Sequence, residues 1–348
     1  MAEPEPRLHD APAVPTMSVV ICAYTLDRWA QLRRAVASVR AQQPSPREIL
    51  VVVDHNPELL ERARRCWGVG PEAGGGSEPP VQVLASGGTP GLSGARNTGV
   101  AGCSSDVVAF LDDDAEADEG WIGRLCAPYA DPGVAACGGA AAAALRGVRP
   151  AWWPVEFDWV VGCSYVGLPT STADVRNLIG ANMSVRRSLL LALGGFEEGI
   201  GRVGCRPLGC EETDLFIRLA QRWPTARIVY EPAAGVRHAV PPARLSWRYF
   251  RSRCFAEGLS KACVAARVGS RQALAAERSY TLKVLPAAMA RGLRDACRGQ
   301  RGGGLRAMAV GAGLALTTAG YVTGQLGASF TRRVSRQPSE VGYRPAPA

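Results

Sequence analysis

The eleven cysteines of this 348-residue chain include no pair at metal-ligand spacing; Cys205 and Cys210 are the closest two, and the total is odd. The pattern speaks against a zinc module and a disulfide framework and favours reduced, cytosolic thiols. The start, "MAEPEPRLHDAPAVPT", has neither the basic opening nor the apolar run of a signal peptide. Its prolines and polar residues predict a disordered lead over 1–16. No recognised nucleic-acid motif occurs, so nucleic acid is not an expected partner. Histidine appears only as His9, His55 and His238.

Charge is present but unevenly spread. Residues 1–236 hold 21 basic and 27 acidic side chains, whereas 237–348 hold 19 basic and 4 acidic ones. One half can gather cations; the other seeks an anionic surface.

The first half alternates strand-like and helix-like segments. "MSVVICAY" and "REILVVVD" are apolar runs of strand length. "DRWAQLRRAVASVRAQ" has helical spacing with Asp27 as its expected N-cap, and Pro57 suits a first helical position. "GVGPEAGGGSEPP" reads as a surface loop. The short strand "VQVLAS", a helix through 91–102 and the strand "DVVAFLD" follow. This alternation implies a mainly parallel α/β sheet with helices on both faces. Residues 134–180 look irregular, and "ARIVYEP" and "GVRHAV" read as two short strands. In such sheets ligands bind beyond the carboxyl ends of the strands, where Tyr24, Asp54 and Asp112–Asp114 all fall.

In "VVAFLDDDAEADEGW" five apolar residues run into three aspartates. Adjacent carboxylates stay ionised only with a counter-charge. One reading is a solvated turn in which Asp114 or Asp118 caps the next helix. The other is a hard divalent cation, Mn²⁺ or Mg²⁺, completed by substrate phosphates. Asp112 and Asp114 have D-x-D spacing and would share a side of an extended backbone, with Asp113 pointing away.

"MSVVICAYTLDRW", "EILVVVDHNP", "GLSGARNTGV", "VAFLDDDAEADEGW", "NLIGANMSVRR", "LGGFEEGIGR" and "EETDLFIRL" together resemble the ordered blocks of family 2 glycosyltransferases, inverting enzymes of the GT-A (Rossmann-like) fold. The resemblance covers roughly residues 17–262. It implies donor contacts from Ala23, Tyr24, Asp54, Arg96, Asn97, Asp112 and Asp113, with Asp54 on the base. Where the family often has Asn-Arg after the tyrosine, this chain has "TLDR", and Arg28 would stand in. The resemblance further implies Asp112, Asp114 and His238 around the metal, Glu212 as general base and Glu211 as its assistant. Asn182 and Asp214 are expected near the acceptor, Asp214 also suiting a helix N-terminal charge. Bland roles stay open: an N-cap for Asp54, a surface arginine for Arg96, dipole complement for Glu212, a structural histidine for His238. Trp152, Trp153, Phe157, Trp159 and Tyr165 lie between the two acid groups in sequence. Core packing is their ordinary role, with Trp159 the choice for an acceptor contact.

The expected organisation is a GT-A domain over 17–244, a basic helical region over 245–330 and a disordered tail over 331–348. Residues 307–330 carry no charge and are long enough to span a bilayer, yet five glycines make them weakly apolar. They could be membrane-embedded, lie on the surface or be buried in protein. "SWRYFRSRCF" and "RGLRDACRGQRGG" suit anionic headgroups, placing the protein at the cytoplasmic face of a membrane. The expected activity is metal-dependent hexosyl or deoxyhexosyl transfer from a nucleoside diphosphate sugar to a saccharide, lipid-linked glycan or natural product, as in polysaccharide biosynthesis. A nucleotidyltransferase, which would release pyrophosphate, and a non-catalytic sugar-nucleotide binder are the alternatives.

Overall fold

The computed structural model describes residues 15–68, 78–198, 209–269 and 279–334. Most of the lead, the middle of the glycine-rich loop and the tail from 335 lie outside them. The two apolar runs form β1 (Met17–Ala23) and β2 (Glu48–Val53), and β2 is buried along its whole length. A strand covered on both faces needs apolar residues at every position, hence the unbroken run.

With β3 (Val81–Ala85) and β4 (Val107–Asp112) these strands are parallel. The sheet continues through β8 (Asn182–Arg186), antiparallel to both β4 and β6 (Val134–Leu145). The long β9 (Arg227–Val240) then runs parallel to β6 and antiparallel to the short β5 (Ala115–Ala117) and β7 (Ala173–Asp174). The order is β3-β2-β1-β4-β8-β6-β9-β5, with β7 on β9. It reverses at β1 and β4, so a crevice opens beyond their carboxyl ends.

Helices cover both faces. α1 (Trp29–Arg40), α2 (Pro57–Trp67) and α4 (Trp121–Cys126) close one core. α3 (Leu92–Gly102), α5 (Arg187–Ala192) and α6 (Glu211–Arg222) close the other.

Several local expectations need correction. Asp27 does not cap α1; a 3₁₀ turn, Leu26–Arg28, precedes the helix, and Thr25 Oγ1 accepts from Asp27 N. Neither Asp114 nor Asp118 caps α4, whose N-cap is Gly120 at φ 72°. The irregular "CGGAAAAAL" lies in the strand β6, and the two short strands of 227–240 are one. Alanine and glycine have weak strand propensity, but pairing on both sides overrides it. At Gly139 an added Cβ would sit 1.9 Å from the Ala234 carbonyl oxygen, so only glycine permits that approach.

A third core joins the aromatic segment to the C-terminal helices. Trp153 and Phe157 pack on Phe250 of α7 (Trp247–Val268), each such buried ring contributing about 1.5–3 kcal/mol. Arg248 and Arg251 of that segment are exposed, but Arg253 is buried. α8 (Leu285–Cys297) and α9 (Gly303–Val334) follow, and α9 packs along α7 and on α8. Glycines make that contact possible: a Cβ at Gly258 would lie 2.1 Å from the Thr317 carbonyl oxygen, and one at Gly320 2.1 Å from that of Phe255. Three of the glycines that dilute the apolarity of 307–330, Gly313, Gly320 and Gly324, are thus packing positions. Residues 303–327 are long and apolar enough to cross a membrane by length and composition.

Candidate active site

β4 ends on Asp112, paired in register with Cys22 of β1. The chain then turns at Asp113–Asp114 and re-enters the sheet as β5. Ala115 pairs with His238 of β9, and Ala239 N donates to the Asp114 carbonyl at 2.8 Å. Strand register therefore sets His238 Nε2 3.1 Å from Asp114 Oδ1 and 3.8 Å from Asp112 Oδ2. Cys163 Sγ lies 3.7 Å from the other ring nitrogen.

One ligand atom from each of Asp112, Asp114 and His238 lies within 4.8 Å of the others. The expected grouping is thus met by a turn rather than by extended backbone. Two carboxylates with one imidazole fit a divalent cation such as Mn²⁺. Asp113 faces elsewhere, with Arg28 Nη1 donating to its Oδ1 at 2.7 Å. Arg28 also reaches Asp114 Oδ2 at 3.2 Å, and Arg244 reaches it at 3.5 Å. These cations are the counter-charge that the triplet requires.

Burial, then the Asp114 charge, pushes Asp113 up to about 7 despite Arg28. Burial would raise Asp114 too, but His238, Arg28 and Arg244 outweigh it and hold that carboxylate well below its usual range. His238 shows the converse: burial lowers it, yet Asp114 carries it up to about 10.

The base end begins at α6. Cys210 caps that helix in the left-handed region at φ 73°, and its thiol lies 3.5 Å from Glu257 of α7. Glu211 Oε1 accepts from Arg96 Nη1 at 3.0 Å. Burial, then Glu211, pushes Glu212 up to about 8. Arg96 is itself buried, donating to Gly180 O at 2.9 Å and lying 3.8 Å from Asp112. Burial works against its charge, but Glu211 and Asp112 hold its pKa above the ordinary value. It is thus no surface arginine.

One cleft of about 1220 Å³ is lined by Ala23, Tyr24, Arg28, Asp54, Arg96, Asp112–Asp114, Trp159, Glu211, Glu212 and His238. Asn56, not Asp54, caps α2; Asp54 Oδ2 instead accepts from Gly91 N at 3.0 Å, and its Oδ1 lies 2.8 Å from His55 Nδ1. Asp113 Oδ2 and Glu211 Oε2 are buried acceptors with no hydrogen-bond partner, which hydroxyl donors of a ligand would satisfy.

Three expected contacts fall outside this lining. The Asn97 amide is clamped on the Phe196 backbone, donating to its O at 2.8 Å and accepting from its N at 2.7 Å. Asn182 is fully buried under the sheet edge, where it accepts from Trp121 Nε1 and donates to Ala140 O and Ala234 O. Asp214 is fully buried and accepts from Arg218 Nε at 2.7 Å. Both amides are thus engaged within the fold, whereas Asp214 keeps one oxygen, Oδ1, buried without a hydrogen bond, 3.7 Å from Arg267 Nε. Arg244, Cys163 and Glu257 were not legible beforehand, since their neighbours are distant in sequence. The ten described cysteines are all free thiols.

A mainly parallel sheet with acids and an imidazole at its switch point is the arrangement of the GT-A fold. Residues 18–194 match the family described as glycosyl transferase family 2. The chain is 32% identical over 246 residues to a glucosyl-dolichyl phosphate glucuronosyltransferase of Haloferax volcanii, covering 70% of this chain and 76% of that one. It is 27% identical to the succinoglycan biosynthesis protein ExoM of Rhizobium meliloti over 70% and 72% of the two chains. Its fold is similar to a mannosyltransferase of Pyrobaculum calidifontis solved with GDP-Man and Mn²⁺, with a TM-score of 0.55 at 17% identity over 89% and 87% of the chains. The chain belongs to glycosyl transferase family 2 and is a glycosyltransferase.

Proposed function

We propose that the enzyme is inverting and divalent-metal-dependent, moving a sugar from a nucleoside diphosphate to the hydroxyl of a membrane-borne glycan. The observation that carries this reading is the shared cleft, with Asp112, Asp114 and His238 in one part and Glu212 in another. Asp54 and Tyr24 hold the nucleoside at the ends of β2 and β1. Arg28, now paired with Asp113 and Asp114, turns to the diphosphate when the donor enters. Asp112, Asp114 and His238 hold the cation, which when bound neutralises charge on the departing diphosphate.

Glu212 takes the proton from the acceptor hydroxyl as its oxygen attacks the anomeric carbon on the face opposite the diphosphate. Its raised pKa makes it a competent base near neutral pH. Glu211 keeps Arg96 in place between the two ends. Exposed Arg294, Arg298 and Arg301, beside exposed Leu293, Leu305 and Met308, suit an anionic bilayer surface. The name of the Haloferax volcanii relative supports a lipid-borne acceptor.

A thermal-shift titration with UDP or GDP and Mn²⁺ tests the donor half. Stabilisation that disappears on adding EDTA is expected. Nucleotide binding indifferent to EDTA would remove the metal from the reading.

A further inference from the structure

The aromatic segment, whose tryptophans look in sequence like an acceptor platform, also brings a buried thiol, Cys163, against the proposed cation site. The path of the chain there is tightly set. Gly162, at φ 82°, ends the 3₁₀ helix Val155–Val161 in the left-handed region, where a side chain would be strained. Cys163 N then donates to Asp158 O at 3.1 Å. Ser164 is tied to Ala141 of β6 by two hydrogen bonds, Ser164 N to Ala141 O at 2.8 Å and Ala141 N to Ser164 Oγ at 2.9 Å. Two residues further along β6, Ala143 pairs with His238 of β9. Register thus sets Cys163 Sγ 3.7 Å from His238 Nδ1, while the other ring nitrogen, Nε2, faces Asp114 and Asp112.

Strand pairing holds the His238 backbone on both sides, at Ala115 and at Ala143, but it does not hold the ring. The last torsion of a histidine is soft and nearly two-fold. A half-turn about it would present a carbon to the cation in place of Nε2. A hydrogen-bond partner at Nδ1 removes that freedom. Cys163 has one hydrogen to give, and Val161 O lies 3.9 Å from its sulfur to take it, which leaves the sulfur lone pairs for Nδ1–H. We propose that Cys163 is the positioning residue of the cation site. Its sulfur accepts from His238 Nδ1–H and so aims the Nε2 lone pair at the ion between Asp112 and Asp114. This rests on the reading of Asp112, Asp114 and His238 as the cation ligands.

The test is the Mn²⁺ affinity of the full-length protein with UDP or GDP present, read from the electron paramagnetic resonance signal of the free ion. Cys163→Ala is expected to weaken Mn²⁺ binding about tenfold, the lower end of what losing the partner behind a metal-bound histidine costs. Cys163→Ser, which keeps an acceptor at the position, is expected to weaken it less. In a His238→Ala background, Cys163→Ala is expected to change nothing further, because the ring it holds is gone. Unaltered Mn²⁺ affinity in Cys163→Ala, beside a loss in His238→Ala, overturns the proposal. A serine variant no better than the alanine variant overturns it too, as does an equal loss in both backgrounds, since either would make Cys163 a packing residue only. Full Mn²⁺ affinity in His238→Ala would instead strike His238 from the cation site, and the proposal with it.

Discussion

Arg96 and Glu211 form a buried ion pair, 3.0 Å between Nη1 and Oε1, and the other terminal nitrogen of the same guanidinium stands 3.8 Å from Asp112. A single side chain on α3 thus spaces the end of β4 from the start of α6. Its placement couples the two chemical ends of the cleft.

Removing that bridge leaves Glu211 charged, buried and without its counter-ion. Arg96→Ala is therefore expected to cost about 3–5 kcal/mol of stability. Arg96→Lys, which keeps the charge but loses the fork to Gly180 O, is expected to cost less. Urea unfolding midpoints check the order; equal midpoints for all three proteins would show that the bridge carries no strain-bearing role.

The double substitution Asp112→Asn, Asp114→Asn removes both carboxylates of the proposed cation site while keeping their volume. Mn²⁺-dependent nucleotide binding is expected to vanish. Isothermal titration with UDP or GDP in the presence and absence of Mn²⁺ measures this, and retained metal dependence would place the cation elsewhere.

Glu212→Gln keeps shape and removes the base. Transfer is expected to fall about 10²–10⁴-fold with nucleotide affinity preserved. The pH profile follows from the raised pKa of about 8. A base acts only when deprotonated, so activity should rise with pH through that value. A flat profile between pH 6 and 9 would exclude Glu212 as the titrating base.

At the α7–α9 seam, Gly258→Val would drive carbons into the Thr317 backbone. A loss of about 1–3 kcal/mol or more is expected, since backbone cannot yield as a side chain can. Differential scanning calorimetry reads it. Gly299, at φ 72° with open space around its Cβ position, separates backbone strain from packing as a comparison.

Charge reversal of Arg294 and Arg298 is expected to release the protein from anionic vesicles, and added salt should mimic the change. Flotation assays on vesicles with and without anionic lipid decide it. Salt-insensitive binding would transfer the attachment to the apolar faces of α8 and α9.

Much of the fold could be read from residue order because its signals are local. Continuous apolar runs are what doubly covered strands such as β2 require, and their carboxyl ends locate Asp54 and Asp112 by topology. β6 stayed hidden, because an alanine and glycine run has no strand signature until neighbours pair with it on either side. The same limit explains Asn182 and Asn97. Their motifs look functional in sequence, but only packing shows amides spent on the Ala140, Ala234 and Phe196 backbone.

By itself the sequence determined the class of sheet, the aspartate triplet at a strand end, the acidic start of α6 and the basic character of the last third. All follow from periodicity, composition or spacing along one stretch of chain. Only tertiary structure decided that His238 meets Asp114, that Arg96 is a strut rather than a surface cation, and that α7 and α9 wall the same cleft as Glu212. Those facts depend on strand register and helix packing between distant segments, and contact energies of that kind leave no local mark.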